Sequence, residues 1–193
     1  MNTAFEKSWS DKELVASILN GNQQLFAVII KNTESLVAQI VFKMVPDAED
    51  RKDVVQDIYL KAFRNLSAFQ FKAKLSTWIA QIAYNTCLNY LRKKKPYLLH
   101  DLQQLDEQDN ITSTHQPEAI VFEKELAALL AAEIDQLPPV YKTIITLYHH
   151  EELSYEEIAA ITQLPQGTLK SYLFRARKTL KEKLLLRYKK SEL

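Results

Sequence analysis

Hydrophobic residues recur at intervals of three and four along most of the chain, the spacing of one buried face on an α-helix. Ser10 with Glu13 three residues on is a capping-box pattern. It opens a short helix through Leu14, Val15, Ile18 and Leu19 that stops at Asn20 and Gly21. A second helix carries Leu25, Phe26, Ile29 and Ile30, then Leu36, Val37, Ile40, Val41 and Met44, and ends at Pro46. These positions read as core, with no chemistry among them. A third helix begins at Asp47, with Asp50 near its positive N-terminal end, and its inner stripe is Val54, Val55, Ile58, Tyr59, Ala62 and Phe63. On the opposite face Asp50, Asp53, Asp57, Lys61 and Arg64 repeat at three and four. Such a face forms intrahelical pairs such as Asp57 with Lys61, and its acidic turns also suit docking on a basic partner helix; the residues alone leave both open.

The stretch from Phe69 to Lys95 carries the most chemistry. It opens as a loop in which Phe69 and Phe71 accompany Lys72 and Lys74, then passes Ser76, the expected N-cap, into a long helical run. Gln81, Asn85, Asn89 and Arg92 follow at four, four and three, so they share a face. Ile79, Ala83, Thr86, Tyr90 and Leu91 lie on the other side, and the run ends in Arg92, Lys93, Lys94 and Lys95 before Pro96. Aromatics to stack on unpaired bases, amides to read base edges and clustered cations for phosphates are what a single-stranded nucleic-acid surface requires. An amphipathic core helix with a solvated basic end has the same pattern.

Residues 97–117 are different material: no sustained apolar period, many Asp, Gln, Ser and Thr residues, and an acidic balance. They read as a linker. Beyond it a helix from about Glu118 to Gln136 buries Val121, Leu126, Leu129 and Leu130. Pro138 and Pro139 then start another, with Val140, Ile144, Ile145 and Leu147 inward. His149 and His150 are adjacent, point to different sides and have no third ligand near, so no metal site is expected. Ser154 and Glu157 form a second capping box, opening a short helix with Ile158, Ala159 and Ile161 inside. After a turn around Leu164 to Gln166, a longer basic helix uses Leu169, Leu173, Ala176 and Leu180 as its inner seam. Short helix, turn and basic helix make a helix-turn-helix whose second member enters a major groove, leaving Gln166, Thr168, Lys170, Ser171, Arg175 and Lys178 for DNA. A basic helix ending an ordinary bundle is the alternative.

Composition narrows the picture. The chain has 193 residues, room for one ordinary domain or two small ones, and only 2 glycines, too few for a sheet with many tight turns. The net charge of +1 is uninformative, but acids gather at 47–57 and 101–118 and bases at 72–95 and 170–190. Cys87 is alone, which excludes an internal disulfide framework and fits a reducing cytoplasm. The N-terminus lacks a basic start followed by an apolar run, and the longest contiguous apolar piece, Leu25 to Ile30, is far shorter than a membrane span. No nucleophile–base pair, phosphate-cradling glycine loop or metal cluster is visible, so neither catalysis nor a cofactor is expected.

Two motif runs carry a resemblance. Asp47-Ala48-Glu49-Asp50, Val55-Gln56-Asp57, Thr77-Trp78, Ile82-Ala83, Asn85-Thr86 and Arg92 resemble the promoter-melting domain of bacterial extracytoplasmic-function (ECF) sigma factors. LSYEEIAAIT followed by GTLKSYLFRARKTL resembles their promoter -35 domain, except that Leu169 replaces a usual Val and Tyr172 an Arg that commonly helps bind DNA. The resemblance implies that Asp50, Asp53, Gln56 and Asp57 bind a coiled coil of the largest subunit of core RNA polymerase. It implies that the Phe69–Leu75 loop with Asn85 and Asn89 captures a flipped base of the melted -10 element, with Phe69, Phe71, Lys72, Lys74, Trp78, Gln81, Arg92 and Lys93 as the surrounding contacts. In the -35 domain it implies contacts from Gln166, Thr168, Lys170, Ser171, Tyr172, Arg175 and Lys178. An anti-sigma factor as partner, and passage of the linker near the RNA exit path, are further implications.

The expected fold is all-α: two small helical domains, 1–96 and 118–193, joined by a flexible acidic linker, the second a helix-turn-helix. The expected function is promoter-directed initiation with core RNA polymerase. A stand-alone helix-turn-helix repressor would leave the Phe69–Lys95 surface unexplained. A decoy that titrates a regulator would not require the cationic faces.

Overall fold

The computed structural model describes residues 9–98 and 123–191, excepting the side chains of 123–127 and 187–191. The fold is all-α. The described helices are α1 (Asp11–Leu19), α2 (Phe26–Met44), α3 (Ala48–Arg64), α4 (Leu75–Lys94), α5 (Glu123–Asp135), α6 (Pro139–His149), α7 (Tyr155–Thr162) and α8 (Gln166–Ser191). Most of the expected linker, and Val121 and the Leu126 side chain of the expected apolar stripe, lie outside the described residues.

Local chemistry explains most boundaries. Both capping boxes form: Ser10 accepts from the Glu13 amide while Glu13 reaches back to the Ser10 amide, and Ser154 and Glu157 do the same. Gly21, at φ 108°, turns the chain out of α1, and a 3-10 turn at Gln23–Leu25 leads into α2. Pro46 ends α2, whose last carbonyls would be orphaned. Just beyond that end Arg51 of α3 donates to the Val45 carbonyl at 2.9 Å and the Pro46 carbonyl at 3.2 Å, which ties the turn between α2 and α3 to α3. Pro139 sits in the first turn of α6, where its missing N–H costs nothing.

The start of α4 differs from expectation. Its N-cap is Lys74, in extended backbone and without a side-chain cap, so Ser76 falls inside the first turn. The cap comes from elsewhere in the chain: the Leu75 amide donates to Asp11 Oδ2 at 2.8 Å. A carboxylate at the first turn of α1 thus serves the positive end of α4, an arrangement no local pattern reveals.

The core begins with α2, α3 and α4. Ile40, Met44, Ile58, Ala62, Ile79, Ala83, Cys87 and Leu91 are fully buried, and the buried Thr33 hydroxyl, donating to the Ile29 carbonyl at 2.7 Å, lies 3.1 Å from Tyr59 Oη. The Gln23–Met44 helix is long and apolar enough to cross a membrane, which the count of contiguous apolar residues did not register because isolated polar residues interrupt the run. Its inner face, Ile29, Val37, Ile40, Val41 and Met44, is instead consumed by α3 and α4. Two α3 residues depart from the expected stripe: Val55 is half-buried, and Phe63 is exposed at one edge, its ring meeting that of Phe26 edge-on at 5.1 Å.

In the second half Val140, Ile144, Ile145 and Leu147 point inward together with Ile158, Ile161, Leu169, Leu173, Ala176 and Leu180, as the periodicity predicts. The halves do not stand apart. Helix α2 packs against α6 and α4 against α7, so the buried residues form one continuous cluster, and Lys43–Asp135 (2.6 Å) and Lys74–Glu157 (2.8 Å) pair across the junction.

Candidate nucleic-acid interface

The Phe69–Leu75 loop is built on stacked aromatics. Phe69 is buried, with its ring 4.6 Å from Phe71 and 5.2 Å from Trp78. It is the floor of the stack rather than a surface for a base. Phe71 is 41% exposed and has φ 56°, a left-handed conformation that costs a bulky side chain about 1 kcal/mol or more. One side of the ring rests against Phe69 and the rest is open to solvent. Lys72 and Lys74 are exposed beside it. Below them a hollow of about 410 Å³ is lined by Phe69, Lys72, Thr77, Trp78 and Gln81, and on its far side by Ala159 and Ala160 of α7 and by Gln163, its C-cap.

The amide face of α4 is split. Gln81 lies at the aromatic hollow and Asn85 is half-buried one turn on, but Asn89 opens into a separate groove between α3 and α4 with Asp53, Asp57, Lys61 and Thr86. Eight residues at 100° each rotate the direction by about 80° from Gln81 to Asn89, enough to move an amide from one groove to the next. The basic end is divided too. Lys94 pairs with Asp50 at 2.7 Å and Lys95 with Asp47 at 3.5 Å, leaving Arg92 and Lys93 exposed as candidate phosphate contacts. Tyr90, expected on the inner face, is half-buried and donates to Asp50 (2.7 Å) and Asp47 (3.1 Å). Hydrogen bonds from Lys94 and then Tyr90 hold the Asp50 carboxyl below the usual carboxylate range.

These contacts make Asp50 a strut between α3 and α4. Asp53 and Gln56 remain exposed, and Asp57 pairs with Lys61 at 2.7 Å, the predicted intrahelical bridge. The sequence pattern missed Leu60 and misplaced Phe63, which are 45% and 37% exposed. Asp53, Gln56, Leu60 and Phe63 follow at three, four and three, so a single stripe of α3 presents acid, amide and two apolar side chains, the spacing of a helix-docking seam. The signal was available in the spacing, but an apolar residue with core periodicity is ordinarily assigned inward.

In the C-terminal half, α7 and α8 meet at a turn whose Gln163 adopts φ 59°, a left-handed cap made without glycine. Gln166, Lys170 and Lys178 are exposed, and Thr168, Ser171 and Arg175 half-buried, along the outer side of α8. Gln166 Nε2 donates to Glu156 at 3.4 Å, Ser171 Oγ to the Gly167 carbonyl at 3.0 Å, and Lys170 Nζ lies 5.8 Å from the Tyr155 ring centre. Tyr172 is the exception. Its ring meets Tyr141 edge-on at 4.9 Å, inside the bundle and within electrostatic reach of buried Tyr84 on α4, so it does not share the outer face. His149 and His150, expected on different sides, both line the groove between α2, α5, α6 and α8. There His149 Nε2 accepts from Arg177 at 3.1 Å.

Residues 29–97 match the Sigma-70 region 2 family and residues 127–180 the Sigma-70 region 4 family. The chain is 31% identical to RNA polymerase sigma-H factor of Pseudomonas aeruginosa, over 90% of this chain and 93% of that one. The chain belongs to the ECF sigma factors of the sigma-70 family. It is also 33% identical to the ECF RNA polymerase sigma-E factor of Escherichia coli (91% and 94% covered) and 30% identical to ECF RNA polymerase sigma factor SigW of Bacillus subtilis (90% and 96%). Among solved structures it is similar in fold to CnrH in complex with the cytosolic domain of CnrY, with TM-score 0.63 at 23% identity over 90% of this chain and 96% of that one. The sigma factor RpoE of Bartonella quintana, in complex with the anti-sigma factor NepR, gives TM-score 0.58 at 24% identity, with 82% and 96% covered. As a sigma factor, the protein acts in transcription initiation with core RNA polymerase and promoter DNA.

Proposed function

We propose that residues 1–96 form the unit that binds core polymerase and reads and melts the -10 element. Residues 97–117 act as an acidic linker, and residues 118–193 place the -35 helix-turn-helix. The observation that carries this division of labour is the strained, solvent-facing Phe71 set between Lys72, Lys74 and the Trp78–Gln81 hollow. An exposed ring on a fixed backbone, beside cations and amides, is costly for stability and suited to an unstacked base. In this reading Phe71, Trp78, Gln81 and Asn85 receive the base, with Phe69 as their support. Lys72, Lys74, Arg92 and Lys93 take the strand's phosphates, and Asn89 follows the strand toward α3. Asp53, Gln56 and Asp57 dock on the polymerase coiled coil with Leu60 and Phe63 as apolar anchors, while Asp50 holds α3 to α4. Gln166, Thr168, Lys170, Ser171, Arg175 and Lys178 contact the -35 duplex, and Tyr172 is withdrawn from that set because it faces Tyr141.

The chain itself catalyses nothing in this scheme; phosphodiester chemistry belongs to the polymerase, and the site of action is the cytoplasm. An anti-sigma partner fits the groove of about 900 Å³ between α2, α5, α6 and α8, where apolar Leu130, Ile134, Ile145 and Leu180 are rimmed by Lys43, Arg177 and Lys181. The deciding experiment is transcription by purified core polymerase on a library of duplex promoters, with and without the protein, sequencing RNA starts. Starts that depend on the chain and share paired -35 and -10 motifs are expected. Absence of any dependent start, with DNA or core binding intact, overturns the proposal.

A further inference from the structure

We propose that the groove between α2, α5, α6 and α8 is a binding site for an anionic amphiphile, a fatty acid, whose carboxylate sits on Arg177 and Lys181 and whose chain covers the apolar wall. The groove shares no lining residue with the Trp78 hollow or with the outer face of α8, so the inference does not rest on the assignment of either DNA surface. Three observations lead to it. The first is size and lining. A volume of about 900 Å³ falls within the range of small-molecule sites, about 300–1,000 Å³. Leu130 and Ile134 of α5, Ile145 of α6, and Leu180 and Leu184 of α8 supply the wall. Leu130, Ile134 and Leu184 are only half-buried, and an alkyl chain laid over them removes that apolar surface from water.

The second is charge. Arg177 and Lys181 stand one turn apart on α8, so both reach the groove from the same side. Neither is engaged by a carboxylate among the described residues. Arg177 Nε and Nη2 donate to His149 Nε2 at 3.3 and 3.1 Å, and its guanidinium lies 5.2 Å from the Tyr148 ring centre. Burial and the adjacent guanidinium hold the His149 imidazole below its ordinary value, so at neutral pH it accepts these bonds without compensating the Arg177 charge. No carboxylate lines the groove among the described residues. Those nearest in the chain are turned to other bases: Asp135 accepts from Lys43 at 2.6 Å, Glu133 lies 3.9 Å from Lys183 Nζ, and Glu151 lies 3.0 Å from His150 Nδ1.

The third is preorganisation. Two Arg177 donors converge on a single imidazole nitrogen, so further donors remain for an incoming carboxylate, which meets a guanidinium already oriented by His149 and Tyr148. The two halves of the site select together. The apolar wall rejects a small inorganic anion, which offers it nothing to bury, and the uncompensated cations reject an amphiphile with a positive head. An occupied groove is closed to the anti-sigma partner that fits the same place, so ligand and partner compete.

Isothermal titration calorimetry on the full-length protein tests the proposal with octanoate, decanoate and dodecanoate, each below its micelle concentration. Decanol and decyltrimethylammonium are the head-group controls. A single saturable site is expected, tightening about three- to fourfold per added methylene. Decanoate should bind about tenfold tighter than decanol, and the cation should not bind. Lys181 is exposed, so Lys181→Gln keeps the fold and should weaken dodecanoate about three- to tenfold, with the gain per methylene unchanged. Ala131→Trp fills the groove from an exposed position and should abolish binding of every carboxylate. Uptake of many chains without saturation, equal affinity for decanol and decanoate, or full affinity in Ala131→Trp overturns the proposal. Sedimentation velocity of the ligand-free protein supplies the remaining outcome. A concentration-dependent dimer that Ala131→Trp dissolves makes the groove an interface between copies of this chain, and overturns the proposal as well.

Discussion

The cap that Asp11 lends to α4 is the contact through which a remote residue controls the candidate -10 loop. Asp11→Ala removes the acceptor of the Leu75 amide, a 2.8 Å hydrogen bond to a carboxylate, and Lys74 offers no cap in its place. A lost N-cap costs about 1 kcal/mol, and a hydrogen bond to a charged group about 1.5–3 kcal/mol. Asp11 is largely exposed and water can replace part of the interaction, so the expected loss is about 1–2 kcal/mol. For a chain of this size that corresponds to a fall of roughly 2–8 °C in Tm. Asp11→Asn retains an acceptor oxygen without the charge and should recover about half the loss. Thermal and urea unfolding supply the totals, and amide hydrogen exchange at Leu75 to Trp78 locates them: protection should drop at these amides more than in α3. A loss under about 0.3 kcal/mol, or an Asn variant as damaged as Ala, refutes the reasoning.

The remaining predictions follow from other contacts. Asn85→Ala should slow open-complex formation, seen by permanganate reactivity of the melted strand, with core affinity unchanged; Asn89→Ala, whose amide opens beside Asp53 and Asp57, should also weaken core binding, and identical profiles for the two would contradict the split face. Asp53→Arg and Leu60→Ala should each weaken core binding, about tenfold or more for the charge reversal, while leaving Tm within about 1 °C; unaltered affinity removes α3 as the docking helix. Glu152, at φ 52°, occupies backbone that glycine prefers, so Glu152→Gly should stabilise the protein by about 0.5–1 kcal/mol in urea unfolding, and a destabilised variant would mean that its side chain contributes more than the strain. The Asp50 carboxyl is lowered by Lys94 and Tyr90, so its pairing stabilises the fold above the ordinary value of 3.8 and is lost as pH falls through the lowered one. Asp50→Asn should therefore be less stable than wild type at neutral pH, and the difference should vanish in acid; a gap that persists in acid assigns the effect to packing.

Helix periodicity and capping residues were enough to place α1, α2, α3, α6, α7 and α8 closely, because each rests on side chains within a few residues of one another. They also brought the helix-turn-helix and the loop of Phe69, Phe71 and Lys72 into view, since those motifs are contiguous. What the pattern could not supply is which of several equivalent residues meets which partner. Asp50 and Asp53 are alike in sequence, yet one braces α3 against Tyr90 and Lys94, 40 and 44 residues on, and the other faces solvent. Phe69 and Phe71 differ only in backbone: the left-handed φ of Phe71 puts one ring inside and one out.

The sequence by itself determined most of the helices and most of their inner faces, the family and the order of its two regions, all of them consequences of local spacing and residue type. Only the tertiary structure decided that Asp11 caps α4, that Leu60 and Phe63 are exposed, that Tyr172 faces inward and that α7 lies over the Trp78 hollow. Each of these joins side chains dozens of residues apart, and their meeting is fixed by how amphipathic faces are shared among several helices at once rather than by any one segment's preference.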